Sequence, residues 1–301
     1  MEARVAAVIG VSGLLLALGA SARGNQTPPN AVQAPVKTVR VSWGSIGYRV
    51  VGRGRPLILL VGEPGSIDTW PPSLIDALAV GARVYAIDYE GIGRTTLRSR
   101  RLFTIPRLAD DTADFIRALK LAPADVMGFS FGSFVAQALA IRHPTLVRRL
   151  VLAASALGDS TAKGNNVSPP TNYTCQGSEH WWIFPFTQEG CAAALAYERS
   201  IHTYPDYARE HKDAVSNTEE SALVAWLTGQ VKEGHLAEKI RTPVLVGDGT
   251  KDAILPMPDS VKVARAIPHA TIKLYPDAGH GFLFQHALGW SRLVLHFLNS
   301  A

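Results

Sequence analysis

From residue 36 onward, short apolar runs rich in β-branched residues alternate with amphipathic helical runs, and the links between them are only a few residues long. The runs VKTVRVS (36–42) and YRVVG (48–52) read as two early strands. PLILLVG (56–62) is continuously apolar, as a strand buried on both faces must be. A helix with prolines at its start (71–79), the strand RVYAID (83–88), a helix over 107–120 and the strand DVMGF (125–129) follow. Next come a helix over 130–142 and the strand LVRRLVLAA (146–154). Strands and helices that alternate with links this short predict an α/β fold: a mostly parallel, doubly wound sheet covered on both faces.

The alternation stops near residue 155 and resumes with TPVLVGDG (242–249), a helix over 260–267, the strand ATIKLYP (270–276) and a C-terminal helix. The stretch between is helical, proline-interrupted and rich in aromatic residues. It reads as a mainly helical cap over 156–239, inserted into a core made of 36–155 and 240–301. There are no internal repeats.

The N-terminus carries a different signal. Residues 5–20 are almost wholly apolar or small and end at Ala20-Ser21-Ala22, a small-x-small cleavage site. The run is short for a membrane span. Residues 1–22 therefore read as a signal peptide and 23–35, polar and proline-rich, as a disordered leader. The expected destination is secreted, periplasmic or cell-envelope, with no stable membrane insertion after cleavage; the alternative is an uncleaved N-terminal anchor. In an oxidising compartment Cys175 and Cys191, the only two cysteines, are expected to form a disulfide worth about 3 kcal/mol in loop-closure entropy; two free buried thiols are the alternative. No C-x-x-C or clustered histidine suggests a metal. The net charge is +5, but the basic residues are scattered among acids, and even the run Arg94, Arg98, Arg100 and Arg101 reads as a solvated loop. Nucleic-acid binding is not expected, and no particular oligomeric state is implied.

Gly128-Phe129-Ser130-Phe131-Gly132 has the form G-x-S-x-G between a strand and a helix. Such a turn is strained, and its glycines remove Cβ atoms that would collide. It would hold the Ser130 hydroxyl over the C-terminal edge of the sheet, with the N–H groups of the next helix aimed at the same place. A simple helix-capping serine is the alternative for this residue alone. A serine nucleophile also needs a base and an acid to orient it. His280, between Gly279 and Gly281 after the last strand, and Asp252, after the penultimate one, supply both. Asp248 and Asp277 read as turn residues, and His286 as a surface or packing residue of the final helix.

With the order Ser130, Asp252, His280, each after a separate strand, the chain resembles the α/β-hydrolase superfamily. The likeness is to its capped esterase, perhydrolase and aminopeptidase-like branch. LLVGEPGS (59–66) resembles the oxyanion loop, and DYEGIGRT (88–95) the D-x-x-G-x-G-x-S/T turn. The resemblance implies an oxyanion hole from the backbone N–H groups of Glu63 and Phe131, although the usual His-Gly is here Val61-Gly62 and an acidic residue follows. It also implies that no cofactor or metal is needed. Cap aromatics should contribute to a pocket for a small-molecule ester or acyl substrate, with Trp181, Trp182, Phe184 and Phe186 the best placed candidates.

Together these readings predict an exported serine hydrolase acting on a carboxylic ester or related acyl bond. Two alternatives stand beside it. One is an aminopeptidase or amidase of the proline iminopeptidase type, in which Glu179, Glu189, Glu219 or Glu220 would hold a free amino group. The other is a binding or sensing protein that keeps the pocket without turnover.

Overall fold

The structure is a computed structural model and describes residues 30–98, 104–160, 162, 167–205, 207 and 213–300. Its strands are β1 (Lys37–Val41), β2 (Gly44–Gly52), β3 (Pro56–Leu60), β4 (Arg83–Ile87), β5 (Ala124–Phe129), β6 (Val147–Ala153), β7 (Val244–Gly249) and β8 (Thr271–Tyr275). They form one sheet in the order β1-β2-β4-β3-β5-β6-β7-β8. The two pairings at the β1 end are antiparallel, and β4-β3-β5-β6-β7-β8 are parallel. Helices flank it: α1 (Pro72–Ala79), α2 (Ile105–Ala118), α3 (Phe131–Arg142), α4 (Gln188–Ile201), α5 (Asp213–Leu227), α6 (Met257–Ala266), α7 (Phe282–Gln285) and α8 (Ala287–Asn299). The fold class is the one the strand and helix alternation predicts.

Burial explains the strand sequences. Every residue of β5 and all of β3 after Pro56 is buried, so these central strands carry no polar face. The edge strands β1 and β8 are largely exposed and carry Lys37, Arg40 and Lys273, charges that discourage pairing with another chain. Helix α1 packs on α8 and α2 on α3. Because the central strands are parallel, their C-terminal ends meet along one edge, and there the loops after β3, β5, β7 and β8 come together.

The segment between β6 and β7 holds α4 and α5 and is tied to the core by hydrogen bonds and ring stacking. Trp226 of α5 stacks on Phe134 of α3 at 5.3 Å between ring centroids and donates its indole N–H to Ala156 O. Tyr197 and Tyr204 donate their hydroxyls to the carbonyls of Thr69 and Trp70, in the loop after β3.

Two expectations need correcting. Residues 30–35, assigned to a disordered leader, are packed: Ala31 and Ala34 are buried, Ala31 N–H donates to Asp76, and Arg49 donates to Ala34 O. Their small side chains fit against the core where a bulkier leader would not. Arg98, expected to be solvated, stacks on Trp43 and pairs with Glu90 and Asp111. The signal-peptide segment, Arg100 and Arg101 lie outside the described residues.

Candidate active site

Ser130 stands at the junction of β5 and α3 with φ 53° and ψ −123°, a left-handed conformation that costs a non-glycine residue about 1–3 kcal/mol. Neighbouring groups hold it there. Its N–H donates to Ala153 O on β6, and its carbonyl accepts from both the N–H and the hydroxyl of Ser133. Its own side chain makes no capping hydrogen bond to α3, so the simple cap reading fails. The glycines act as expected. A Cβ on Gly128 would meet the Gly132 carbonyl, and one on Gly132 would meet the backbone of Leu60 and Val61. Closeness of α3 to the end of β3 therefore depends on Gly132. Gly62, on the loop after β3, approaches equally closely: a Cβ there would sit 3.0 Å from Ser130 Cβ.

His280 is almost fully buried, its ring 5.1 Å from that of Phe129, the residue before Ser130. Its Nδ1 lies 2.7 Å from Asp252 Oδ2. The other oxygen, Oδ1, accepts the backbone N–H groups of Ile254 and Leu255 at 2.8 and 3.0 Å. Asp252 is thus aimed by its own loop, and it aims the imidazole. Asp248, the weighed rival, sits at the end of β7. Burial first, and the neighbouring Asp252 second, push its carboxyl well above the ordinary range. His286 stacks on Tyr275, the packing role its helix position implies.

The loop after β3 is braced from two sides. Asp88 accepts the Ile67 N–H at 2.8 Å, and Tyr89 donates its hydroxyl to Val61 O. Gly93, at φ 51°, lets the turn after β4 close over the Asp88 carboxylate. Burial raises the Asp88 carboxyl to about 7, against the Ile67 N–H bond that lowers it. A carboxyl raised in the fold stabilises most below its unfolded value near 4 and loses that contribution as pH rises to about 7. Asp88→Asn keeps an acceptor for Ile67 and removes the titration. Its stability relative to the parent should rise between pH 4.5 and 7.5, by on the order of a few kcal/mol at most. Thermal melts at both pH values check this; parallel curves would refute it.

A narrow cleft of about 30 Å³ lies against this constellation, lined by Gly62, Glu63, Phe129, His180, Trp182 and Phe284 among others. Of the four cap aromatics predicted for the substrate pocket, only Trp182 lines it. Phe184 is buried 5.9 Å from Tyr197. Trp181 and Phe186 cluster with Tyr173, and Phe186 and Tyr173 line a separate cavity of about 610 Å³ that Cys191 also lines and that includes none of Ser130, Asp252 and His280. Cys175 and Cys191 are bonded, with Cα atoms 5.5 Å apart. The ring they close contains the turn Trp181–Ile183, and Ile183 O accepts the N–H of Gly281, next to His280.

Of the acidic residues suited to holding an amino group, Glu179, Glu189 and Glu220 are exposed. Glu219 is buried on α5, its carboxyl pushed well up by burial and then by Glu63. His180, also at the cleft, and its partner Glu198 stand 18 residues apart with no spacing signal to reveal them. Among the described residues no cluster of three metal-ligating side chains occurs, and no helix is long and apolar enough to cross a membrane.

Comparison with known proteins agrees with this architecture. Residues 55–174 match the profile described as alpha/beta hydrolase fold, and 212–289 that of the dienelactone hydrolase family. An alpha/beta hydrolase fold protein from Chitinophaga pinensis superposes with a TM-score of 0.79 at 22% identity, over 90% of this chain and 100% of that one. The chain has the α/β-hydrolase fold. Proteins named for hydrolytic activities are among its similar relatives. The 2-hydroxymuconate semialdehyde hydrolase of Pseudomonas sp. (strain CF600) is 28% identical over 83% of this chain and 89% of its own length. The poly(3-hydroxyalkanoate) depolymerase of Ectopseudomonas oleovorans is 27% identical over 81% and 84%.

Proposed function

We propose that the protein is an exported serine hydrolase that cleaves a carboxylic ester or related acyl bond through an acyl-enzyme on Ser130. The observation that carries this reading is the buried 2.7 Å contact of His280 with a doubly anchored Asp252, beside a strained serine that caps nothing. In the mechanism, His280 takes the Ser130 proton as the hydroxyl attacks the substrate carbonyl. Asp252 holds Nδ1–H, so Nε2 is the basic nitrogen, and it stabilises the imidazolium that forms. The oxyanion is met by the backbone N–H groups of Glu63 and Phe131, the latter at the positive end of α3. The imidazolium then protonates the leaving group, and His280 activates water to release the acid. Export is supported by the disulfide and by the N-terminal apolar run.

Labelling of the purified protein with a fluorophosphonate, followed by peptide mass mapping, tests the assignment: one adduct is expected, on Ser130. Ester turnover without an adduct there would overturn it. A second reading, an aminoacyl amide substrate, draws on Glu219, the one buried acid of the cap set, and its proximity to Glu63. Aminoacyl anilides assayed beside short-chain esters separate the two.

A further inference from the structure

Asp252 aims the His280 ring, but the ring also depends on where its backbone stands, and its two neighbours, Gly279 and Gly281, have no side chains to brace it. Core backbone holds the loop at one place. Lys251 N–H donates to Ala278 O at 2.9 Å, and a Cβ on Gly249 would meet the carbonyls of Ala278 and Gly279. The inserted segment holds it at another. Gly281 N–H donates to Ile183 O at 2.6 Å. A Cβ on Gly281 would stand 3.2 Å from Ile183 Cγ1, Cδ1 and O, and one on Gly279 3.2 Å from the backbone of Ile183, Phe184 and Pro185. Ile183 therefore packs against both residues that flank His280.

Ile183 is itself well fixed. It is buried, and the turn it belongs to is closed by Ile183 N–H to His180 O and Phe184 N–H to Trp181 O. The turn lies within the ring closed by Cys175 and Cys191, and Cys191 is in the first turn of α4. Helix α4 is anchored in turn by Tyr197, which donates to Thr69 O and stacks on Phe284 of α7 at 4.7 Å. A continuous set of contacts thus runs from α4 through the turn to the loop that carries His280.

Resting on the serine-hydrolase reading, we propose that Ile183 is a positioning residue for His280. It holds the histidine loop against the core, so the inserted segment sets the base in place as well as walling the cleft.

The contacts supply a test. Neither glycine has a positive φ, so an alanine at either position meets resistance from Ile183 and its neighbours and not from its own backbone conformation. At 281 the resistance includes the Ile183 side chain; at 279 it is backbone only. With p-nitrophenyl acetate, Ile183→Ala, Gly281→Ala and Gly279→Ala should each lower kcat about tenfold, short of the roughly hundredfold that a 1 Å misplacement can cost. Their KM should stay within about threefold of the parent's. Gly281→Ala combined with Ile183→Ala should be no slower than the slower single variant, because the new methyl takes space the lost side chain leaves. Gly279→Ala combined with Ile183→Ala should lose about a hundredfold, the product of the two. Gly289→Ala, where a Cβ meets nothing within 4 Å, is the control and should match the parent.

Thermal melts establish that each variant is folded at the assay temperature, and Ile183→Val, which removes only Cδ1, repeats the cycle should Ile183→Ala not fold. Parental kcat with a raised KM in the Ile183 variant would make it a wall of the cleft alone and overturn the inference. The same pattern in both combinations would overturn it too. Fluorophosphonate labelling separates the two levels. A parent that is labelled on Ser130 and active, with kcat unchanged by the Ile183 substitution, loses only the Ile183 assignment; an unlabelled, inactive parent loses the hydrolase reading and this inference with it.

Discussion

Ser130→Ala should lower ester turnover by about 10⁴- to 10⁶-fold, the range expected when a triad nucleophile is removed and only binding and oxyanion stabilisation remain. The same substitution should leave the protein as stable as its parent to within about 1 kcal/mol, since it removes one hydroxyl that does not cap α3 and leaves every backbone bond in place. The reason lies in the local structure. Ser130 is held by its backbone, through Ala153 O on one side and the Ser133 N–H and hydroxyl on the other, and its side chain does not cap α3. An alanine inherits the same φ of 53° and the same backbone bonds, so the strain is neither relieved nor increased. Turnover and thermal melts measured on one preparation check both halves. A capping serine would give the reverse pattern, with stability lost and turnover kept. Substantial residual turnover in a folded alanine variant would remove Ser130 from the mechanism.

The parts of this site that were legible in the sequence are those carried by chain order and by glycine. G-x-S-x-G between a strand and a helix located the strained serine because Gly128 and Gly132 have no substitute where backbone meets backbone. The parallel core was legible because β3 and β5 are buried along nearly their whole length and so read as unbroken apolar runs. The cap was not legible residue by residue. Adjacent aromatics such as Trp181 and Trp182 have the same composition signal, yet within one short turn of 3-10 helix Trp182 lines the cleft while Trp181 packs with Tyr173 and Phe186. His180 and Glu198 were invisible because their pairing is set by the fold of the insertion, across a loop closed by the disulfide, and not by any spacing along one helix. Residues 30–35 were misjudged because a polar, proline-rich composition says nothing about two alanines that fit into a core.

Asp252→Asn should keep the fold and lower kcat by about 10⁴-fold, the scale expected when the triad histidine is locked in the wrong tautomer. Geometry dictates which way the new amide must face. The Oδ1 position accepts two backbone N–H groups, from Ile254 and Leu255, so only an oxygen can occupy it without setting donor against donor. The amide nitrogen is then forced toward His280 Nδ1, 2.7 Å from where Oδ2 stood. An N–H donor facing Nδ1 requires that nitrogen to accept, which moves the ring proton to Nε2. The nitrogen that should take the Ser130 proton is then already protonated. Asp248 is not placed to substitute: it lies on β7 with its buried carboxyl pushed well above the ordinary range, and the partner of His280 Nδ1 is Asp252. Fluorophosphonate labelling should slow in step with turnover while thermal stability changes little, because the carboxylate's backbone bonds are reproduced by the amide oxygen. If Asp252→Asn retained near-parental kcat, the orienting acid would have to be sought elsewhere. If it unfolded instead, the role of Asp252 in closing the loop after β7 would outweigh its part in catalysis.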